Sequence, residues 1–459
     1  MTTPTSSAVA DLDRRHVFHP FTVLAHHEAD GPRRMIVKGE SSTVVDQDGR
    51  RYIDAMAGLW CVNVGYGRPE IAEAMRAQAM QLPYYHGFSS MATETPAVLA
   101  ERLIALAPPG MSKVLYGTGG SDANDTQVKL IRLYNNRLGR PEKKKVIARH
   151  RGYHGVTLAA ASLTGLPSLH RDFDLPLPGF LHTTAPERLW EAAPGEDDAA
   201  FSARLADELD RLIEAEGPDT VAAFIAEPVQ AAGGVIVPPD GYFEAIQAVL
   251  RKHDVLLIAD EVVCGFGRVG TWFGSERFGL RPDLITVAKG ITSAYAPLSA
   301  CIVSERVWDV LSRRSEGRVF AHGFTYSAHP IAAAAALANL DLIEGEGLIA
   351  QASARGERLR GALHDAFDAH PLVGEVRGVG LLAAVEMVAE RSPARRFDPV
   401  GSVAARVTTA CLERGVITRA LPEADTISFS PPFVITEQEI DEIVEVTREA
   451  LDAVAAEVL

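Results

Sequence analysis

Two short apolar runs, each stopping at a charged residue, constrain this chain more than any other feature. Val255-Leu256-Leu257-Ile258-Ala259 stops at Asp260 and Glu261, and Leu284-Ile285-Thr286-Val287-Ala288 stops at Lys289 and Gly290. Runs of this length, rich in β-branched residues and bounded by polar or Gly positions, predict buried strands. A carboxylate and an amine are therefore expected at the exits of two buried strands. In an open α/β sheet that rim is where ligands bind. A Lys stripped of water has its charged form disfavoured, so its amine becomes nucleophilic near neutral pH.

A carboxylate at the same rim can keep a heterocyclic nitrogen protonated. A Lys Schiff base with an acid on a pyridinium nitrogen is the arrangement that holds pyridoxal phosphate, PLP. A plain strand-end ion pair would use the same two residues, so the cofactor reading needs further parts. Val114-Leu115-Tyr116 runs straight into Gly117-Thr118-Gly119-Gly120-Ser121-Asp122-Ala123-Asn124-Asp125, followed by a helix through Tyr134. A Gly-rich turn at a helix N-terminus exposes backbone N–H groups with the helix dipole behind them, which suits an anion. The Lys and Ser/Thr of a Walker A loop are missing, so a single phosphate fits better than a nucleoside triphosphate. A strand at 146–150 exits into Arg151-Gly152-Tyr153-His154-Gly155, where a flat ring could stack on Tyr153. A strand at 222–226 ends at Glu227, a third acid at a strand exit. Gly265-Phe266-Gly267-Arg268-Val269-Gly270 matches GxGxxG, but residues 260–264 separate it from its strand and 271–274 make a poor helix start, so it is read as a loop.

Around these parts the chain divides. Residues 35–54 predict hairpin strands about an Asp-Gly turn at 48–49. Residues 57–67, rich in Gly and aromatics, are expected to line something; Trp60 suits either pocket or core. Helices are expected at 69–81 and 95–107, each with an early Pro. Residues 174–218 look like Pro-rich loops and an acidic helix with little chemistry. A helix at 243–253, a strand at 299–303 and a polar loop at 320–326 follow. Residues 331–340 predict a buried Ala-rich helix, short of the ~20 residues needed to span a bilayer. Beyond 330 the texture changes to a long helix through Arg355, strands near 373–376, 380–387 and 427–430, and helices near 401–414 and 437–457. Arg419 stands where a guanidinium could take a carboxylate bidentately. Residues 1–30 are polar and His-rich, either a helix capping another subunit or a disordered arm.

At 459 residues, more than one domain is expected. A net charge of -15, with no basic run beyond Lys143-Lys144-Lys145, argues against a nucleic-acid surface. The four cysteines are scattered, with no CxxC pair, so no metal centre or disulfide framework is expected and reduced thiols in a cytoplasm are the simple reading. No basic stretch followed by an apolar core marks a signal peptide at the N-terminus.

Taken together, GLWCVNVGYG, GTGGSDAND, RGYHG, AEPVQAAGG, LLIADEVVCGFGR, ITVAKG and HGFTYSAHP, in that order, resemble the class III aminotransferases. Within that family the chain looks most like the ω-transaminases that use pyruvate, and the likeness runs from about residue 15 to the C-terminus. The resemblance implies fold type I: a large domain at 69–330 with a mainly parallel seven-stranded sheet, and a smaller α+β domain at 331–459 to which 1–68 contribute. It implies that Lys289 carries PLP and acts as general acid and base, and that Asp260 holds the ring nitrogen protonated. Gly119, Gly120 and Ser121 would bind the phosphate, with Thr325 supplied by the partner of a homodimer, and a tetramer of two such dimers is left open. Tyr153 and Val262 would sandwich the ring, with His154 and Glu227 in support. Trp60, Phe88 and Tyr153 would shape the substrate pocket. Arg419 would pair with a substrate carboxylate and swing aside for plain amines. Gly119 stands where many relatives carry Ser, so backbone N–H groups would have to serve there.

The expected reaction moves an amino group from a primary amine or ω-amino acid to a keto acid, pyruvate giving alanine, by a ping-pong mechanism. The alternatives are an aminomutase or a decarboxylating transaminase on the same fold, a nicotinamide oxidoreductase resting on the GxGxxG match, and a binding protein that has kept the fold. Retention of both Lys289 and Asp260 argues against the last.

Overall fold

In the computed structural model, which describes residues 6–315 and 317–458, a seven-stranded sheet forms the centre. From edge to edge its strands are Met111–Gly117, Ser299–Ser304, Leu284–Val287, Leu256–Asp260, Val221–Ala226, Lys145–Arg149 and Phe180–Thr183. Ser299–Ser304 is antiparallel to both neighbours, and every pairing from Leu284–Val287 out to Phe180–Thr183 is parallel. The three inner strands of that run are buried at every position, which is why they appear in the sequence as unbroken apolar runs.

Side-chain alternation sorts the core into two layers. Leu257 and Ala259 join Phe201, Leu205, Ile246 and Leu250 from the helices Asp198–Glu216 and Tyr242–Lys252. Leu256 and Ile258 join Ala123, Ile131 and Tyr134 from the helix Gly120–Arg137 on the other face. Both sheet faces are thus covered, and ligands are left the rim at the strand ends.

The two ends of the chain are stitched together. Ile36–Glu40, Thr43–Asp46 and Arg51–Asp54 form an antiparallel sheet, and Val416–Ile417 adds to it parallel to Arg51–Asp54. A further sheet runs in the order Val373–Val379, Leu382–Met387, Thr426–Phe429, Arg419–Ala420. The stretch 416–420 is therefore shared between two sheets.

Other expectations need correction. Residues 174–218 are not only an excursion: Phe180–Thr183 is the edge strand of the main sheet. The long helix through Arg355 is two helices, Pro330–Gly345 and Leu348–Phe367, parted where Gly347 takes a φ of 60°. Near the N-terminus Ser6–His16 and Leu24–Asp30 are helical, while the arm at residues 1–5 lies outside the described residues. The four cysteines are unpaired, and no described helix is long and apolar enough to cross a membrane.

Candidate active site

The carboxyl ends of the parallel strands deliver the expected residues to one rim. Val287 leads through Ala288 to Lys289, whose φ of +46° lies in the left-handed region that a side chain enters only when its surroundings hold it there. The Lys289 ammonium sits 5.5 Å from the centre of the Trp60 ring and has no hydrogen bond or ion pair among the described residues. Burial lowers its proton affinity, against the pull of Cys61, Asp260 and Glu227. It is an open amine with its charge made costly.

Asp260 ends the neighbouring strand, fully buried. Its Oδ2 accepts from Asn124 Nδ2 at 2.8 Å and from His154 Nδ1 at 2.8 Å, and its Oδ1 accepts from Val262 N at 3.1 Å. Asn124 is oriented in turn, since Thr286 Oγ1 donates to its Oδ1 at 2.8 Å and Gln127 Nε2 donates to Thr286 Oγ1 at 3.3 Å. Glu261, next in sequence, turns away and accepts from Gly274 N and Ser275 N at 2.9 and 2.5 Å.

The Gly-rich turn opens the helix Gly120–Arg137 as expected. Asp122 organises it by accepting from Thr118 N at 2.8 Å, Gly119 N at 3.2 Å and Ser299 Oγ at 2.9 Å. The Gly119 N–H is thereby committed, which leaves the first-turn N–H groups of Gly120 and Ser121 as the anion donors. Ser121 Oγ accepts from Val156 N at 3.0 Å, so its own proton is free to point outward. A Cβ built on Gly119 would meet nothing within 4 Å, whereas one on Gly120 would come 3.2 Å from Val262. The cradle opens into clear space, walled on one side by Val262.

Glu227 is buried and fastens the Tyr153 loop: its carboxylate accepts from Tyr153 N and Ala231 N, each at 3.0 Å. Desolvation pushes its pKa up to about 6, against the neighbouring His154. Arg419 lies half-buried with its guanidinium 4.8 Å over Trp60, and desolvation lowers its proton affinity. No hydrogen bond or ion pair occupies it among the described residues. Trp60 therefore carries two cations, Lys289 and Arg419, over one ring.

Two expected residues lie elsewhere in the single chain, one of them, Thr325, being a residue expected from a partner subunit. Phe88 is 47 % exposed, packs edge-on to His86 and faces Gly323. Thr325 lies exposed on the loop that follows Gly323, with its carbonyl accepting from Tyr84 Oη at 2.5 Å. They lie in one region of surface. Conversely, Asn124, Asp122 and Thr286 belong to the site and were not singled out. Their signal was polar residues placed on a helix face and in a strand that are otherwise apolar.

The residues fit PLP. Asp260 can receive a ring N–H, the turn can receive a phosphate, and Lys289 is free to bond a carbonyl carbon. The model of the class III aminotransferases matches residues 24–451. The chain is 51 % identical to a diaminobutyrate–2-oxoglutarate transaminase of Halomonas elongata, over 98 % of this chain and 97 % of that one. It is 46 % identical to the mitochondrial gamma aminobutyrate transaminase 1 of Solanum lycopersicum, over 94 % of this chain and 84 % of that one. The solved ω-transaminase of Pseudomonas jessenii in complex with PMP superposes with a TM-score of 0.96 at 46 % identity, covering 98 % of this chain and 99 % of that one. Fold and site together define a PLP-dependent transferase of fold type I. The chain belongs to the class III aminotransferases, and is an enzyme that moves amino groups between small amines and keto acids.

Proposed function

We propose that this transaminase takes an arylalkyl amine or an ω-amino acid as donor and pyruvate as acceptor, in a ping-pong cycle. The observation that carries the reading is Arg419, an arginine with open donors beside Lys289 and over Trp60. One guanidinium matches one carboxylate. Pyruvate carries one carboxylate and asks for one such group. With no carboxylate to hold, Arg419 can lie along the indole and leave an aromatic wall for a plain amine.

Bound PLP supplies a carbonyl that condenses with amines and a ring that draws electrons. Lys289 moves the proton from the amine-bearing carbon of the donor, acting as general base and then as general acid. Asp260, held by Asn124 and His154, receives the ring N–H. Gly120 and Ser121 hold the phosphate, Tyr153 and Val262 flank the ring, and Glu227 keeps the Tyr153 loop in place. Thr325 and Phe88 serve the site of a partner subunit in a homodimer. Their exposure in one chain is in keeping with that role. Residues 1–68 and 331–459 make one small domain beside a large one at 69–330, a division supported by the pairing of Val416–Ile417 with Arg51–Asp54. The four free thiols are in keeping with a reducing cytoplasm.

The test is a half-reaction. The holoenzyme is mixed with excess 1-phenylethylamine, and separately with β-alanine, and the visible band of the cofactor is followed. Loss of the band, restored by pyruvate with alanine formed, is the expected result. Restoration by 2-oxoglutarate but not by pyruvate would overturn the acceptor. A Lys289→Ala variant that still cycles would overturn the proton carrier.

A further inference from the structure

The hairpin that carries Arg419 is gripped at its tip by the opposite wall of the pocket. Arg419 pairs with Ser428 and Ala420 with Ile427, and Leu421 N donates to Thr426 O at 2.9 Å. The tip thus runs from Pro422 to Asp425. Asp425 ties one side down, its carboxylate accepting from the N–H groups of Gly401, Val403 and Ala404 at 2.8, 2.8 and 3.0 Å. Glu423 ties the other. Its Oε1 accepts from Ser168 N at 2.5 Å, and its carbonyl accepts from Arg151 Nη1 at 3.1 Å. Both donors belong to the stretch that leaves the strand Lys145–Arg149 and carries Tyr153.

Two features show that this grip is held rather than incidental. Glu423 has a φ of +55°, a conformation uncommon away from glycine, which persists where neighbours impose it. Arg151 is itself anchored, with its Nε 3.3 Å from Glu187 Oε2 and donating to Gly233 O at 2.8 Å, so it cannot follow the tip outward. Arg419 has no comparable tether. It stacks on Trp60 and spends no hydrogen bond on the protein, so the hairpin alone sets how far its guanidinium reaches into the pocket.

We propose that Glu423 is the positioning residue for Arg419: the latch from the hairpin tip to Ser168 and Arg151 sets how well the site takes a carboxylate-bearing substrate relative to a plain amine. This rests on the reading of Arg419 as the group that meets a substrate carboxylate. It adds a residue that touches neither substrate nor cofactor, and a contact by which discrimination between the two donor classes can be tuned.

The test uses full-length holoenzyme carrying Glu423→Ala, Glu423→Gln or Glu423→Gly, with Arg419→Ala as reference. KM and kcat are measured for pyruvate and β-alanine, which carry a carboxylate, and for 1-phenylethylamine, which does not. In Glu423→Ala the KM for the carboxylate-bearing substrates should rise about threefold to tenfold, the net worth of one ordinary hydrogen bond. Its kcat and its KM for 1-phenylethylamine should stay at the parent values. Glu423→Gln keeps an amide oxygen for Ser168 N–H and should restore the parent KM. Glu423→Gly relieves the backbone without restoring the bond and should match Glu423→Ala, which separates latch from strain. An unchanged pyruvate KM in Glu423→Ala, with a raised one in Arg419→Ala, would overturn the latch. So would an equal loss for both donor classes with a lowered melting temperature. If Arg419→Ala itself leaves the pyruvate KM unchanged, the role given to Arg419 falls first and the latch with it.

Discussion

Two of the arginines that lie over aromatic rings in this molecule do opposite things. Arg268 sits 4.7 Å over Phe433, and Arg419 sits 4.8 Å over Trp60. Burial lowers the proton affinity of both. Arg268 donates to the carbonyls of Leu381 and Pro431 at 2.9 and 2.8 Å, and to Asn63 Oδ1 at 2.9 Å. It ties the loop after Asp260 to the N-terminal segment and to the C-terminal sheet. Arg419 donates to nothing described. The ring contact is therefore no guide to purpose. What separates a strut from a ligand-binding group is whether the protein has already engaged the terminal donors, as it has at both Nη groups of Arg268.

The hardest way to break the comparison is at the strut. Arg268→Met should destabilise the fold by about 3 kcal/mol, because it strands three buried acceptors at once. Thermal melting reads this directly. A Lys there should rescue only in part, since one ammonium cannot span the same three acceptors in a plane. A methionine variant as stable as the parent would mean that filled donors are not what makes Arg268 structural.

The second prediction is the converse. Arg419→Ala should leave the melting temperature nearly unchanged while raising the pyruvate KM about thirtyfold, the worth of hydrogen bonds between charged groups. Turnover of a carboxylate-free amine should persist. A melting loss as large as that at Arg268 would erase the distinction.

The smallest effect carries the same idea to acids. Asp260 faces the pocket, whereas its neighbour Glu261 spends its oxygens on Gly274 N and Ser275 N. Desolvation lifts the Glu261 pKa from 4.5 to about 7 in the fold. A carboxyl with a raised folded value binds more protons in the folded state, so its contribution to stability is present below 4.5 and drains away as pH rises through 7. Glu261→Gln cannot titrate. Its melting temperature should decline less steeply across that window than the parent's, the remaining slope coming from Glu227. A parallel decline in both would place the titration elsewhere.

Much of this was legible in the sequence, for a physical reason. Strands buried on both faces have to be apolar throughout, so Leu256–Asp260 and Leu284–Val287 could be read together with the charged residues at their exits. Phe180–Thr183 could not. It is an edge strand with partly exposed positions, it follows two prolines, and its apolar pair is too short to stand out. Arg268 was hidden inside a motif rightly read as a loop, because its acceptors lie at residues 63, 381 and 431. Asn124 stood within a recognised motif, but its bond to Asp260 spans 136 positions. Phe88 was placed at the substrate pocket by the resemblance alone, and in the single chain it is exposed, as the lining of a site shared between two subunits would be.

The path that ends on Asp260 has a direction. Gln127 gives to Thr286, Thr286 gives to Asn124, and Asn124 gives to the carboxylate. Were the Asn124 amide turned over, its NH2 would face the Thr286 hydroxyl and its oxygen would face another oxygen, so the orientation sustains itself. Polarity enters at the helix, crosses the sheet and arrives at the strand end as a donor every time. Along this path the carboxylate is thereby wired as a terminus, able to receive from the pocket but with no acceptor turned toward it from Asn124, Thr286 or Gln127 to which a proton could be passed on.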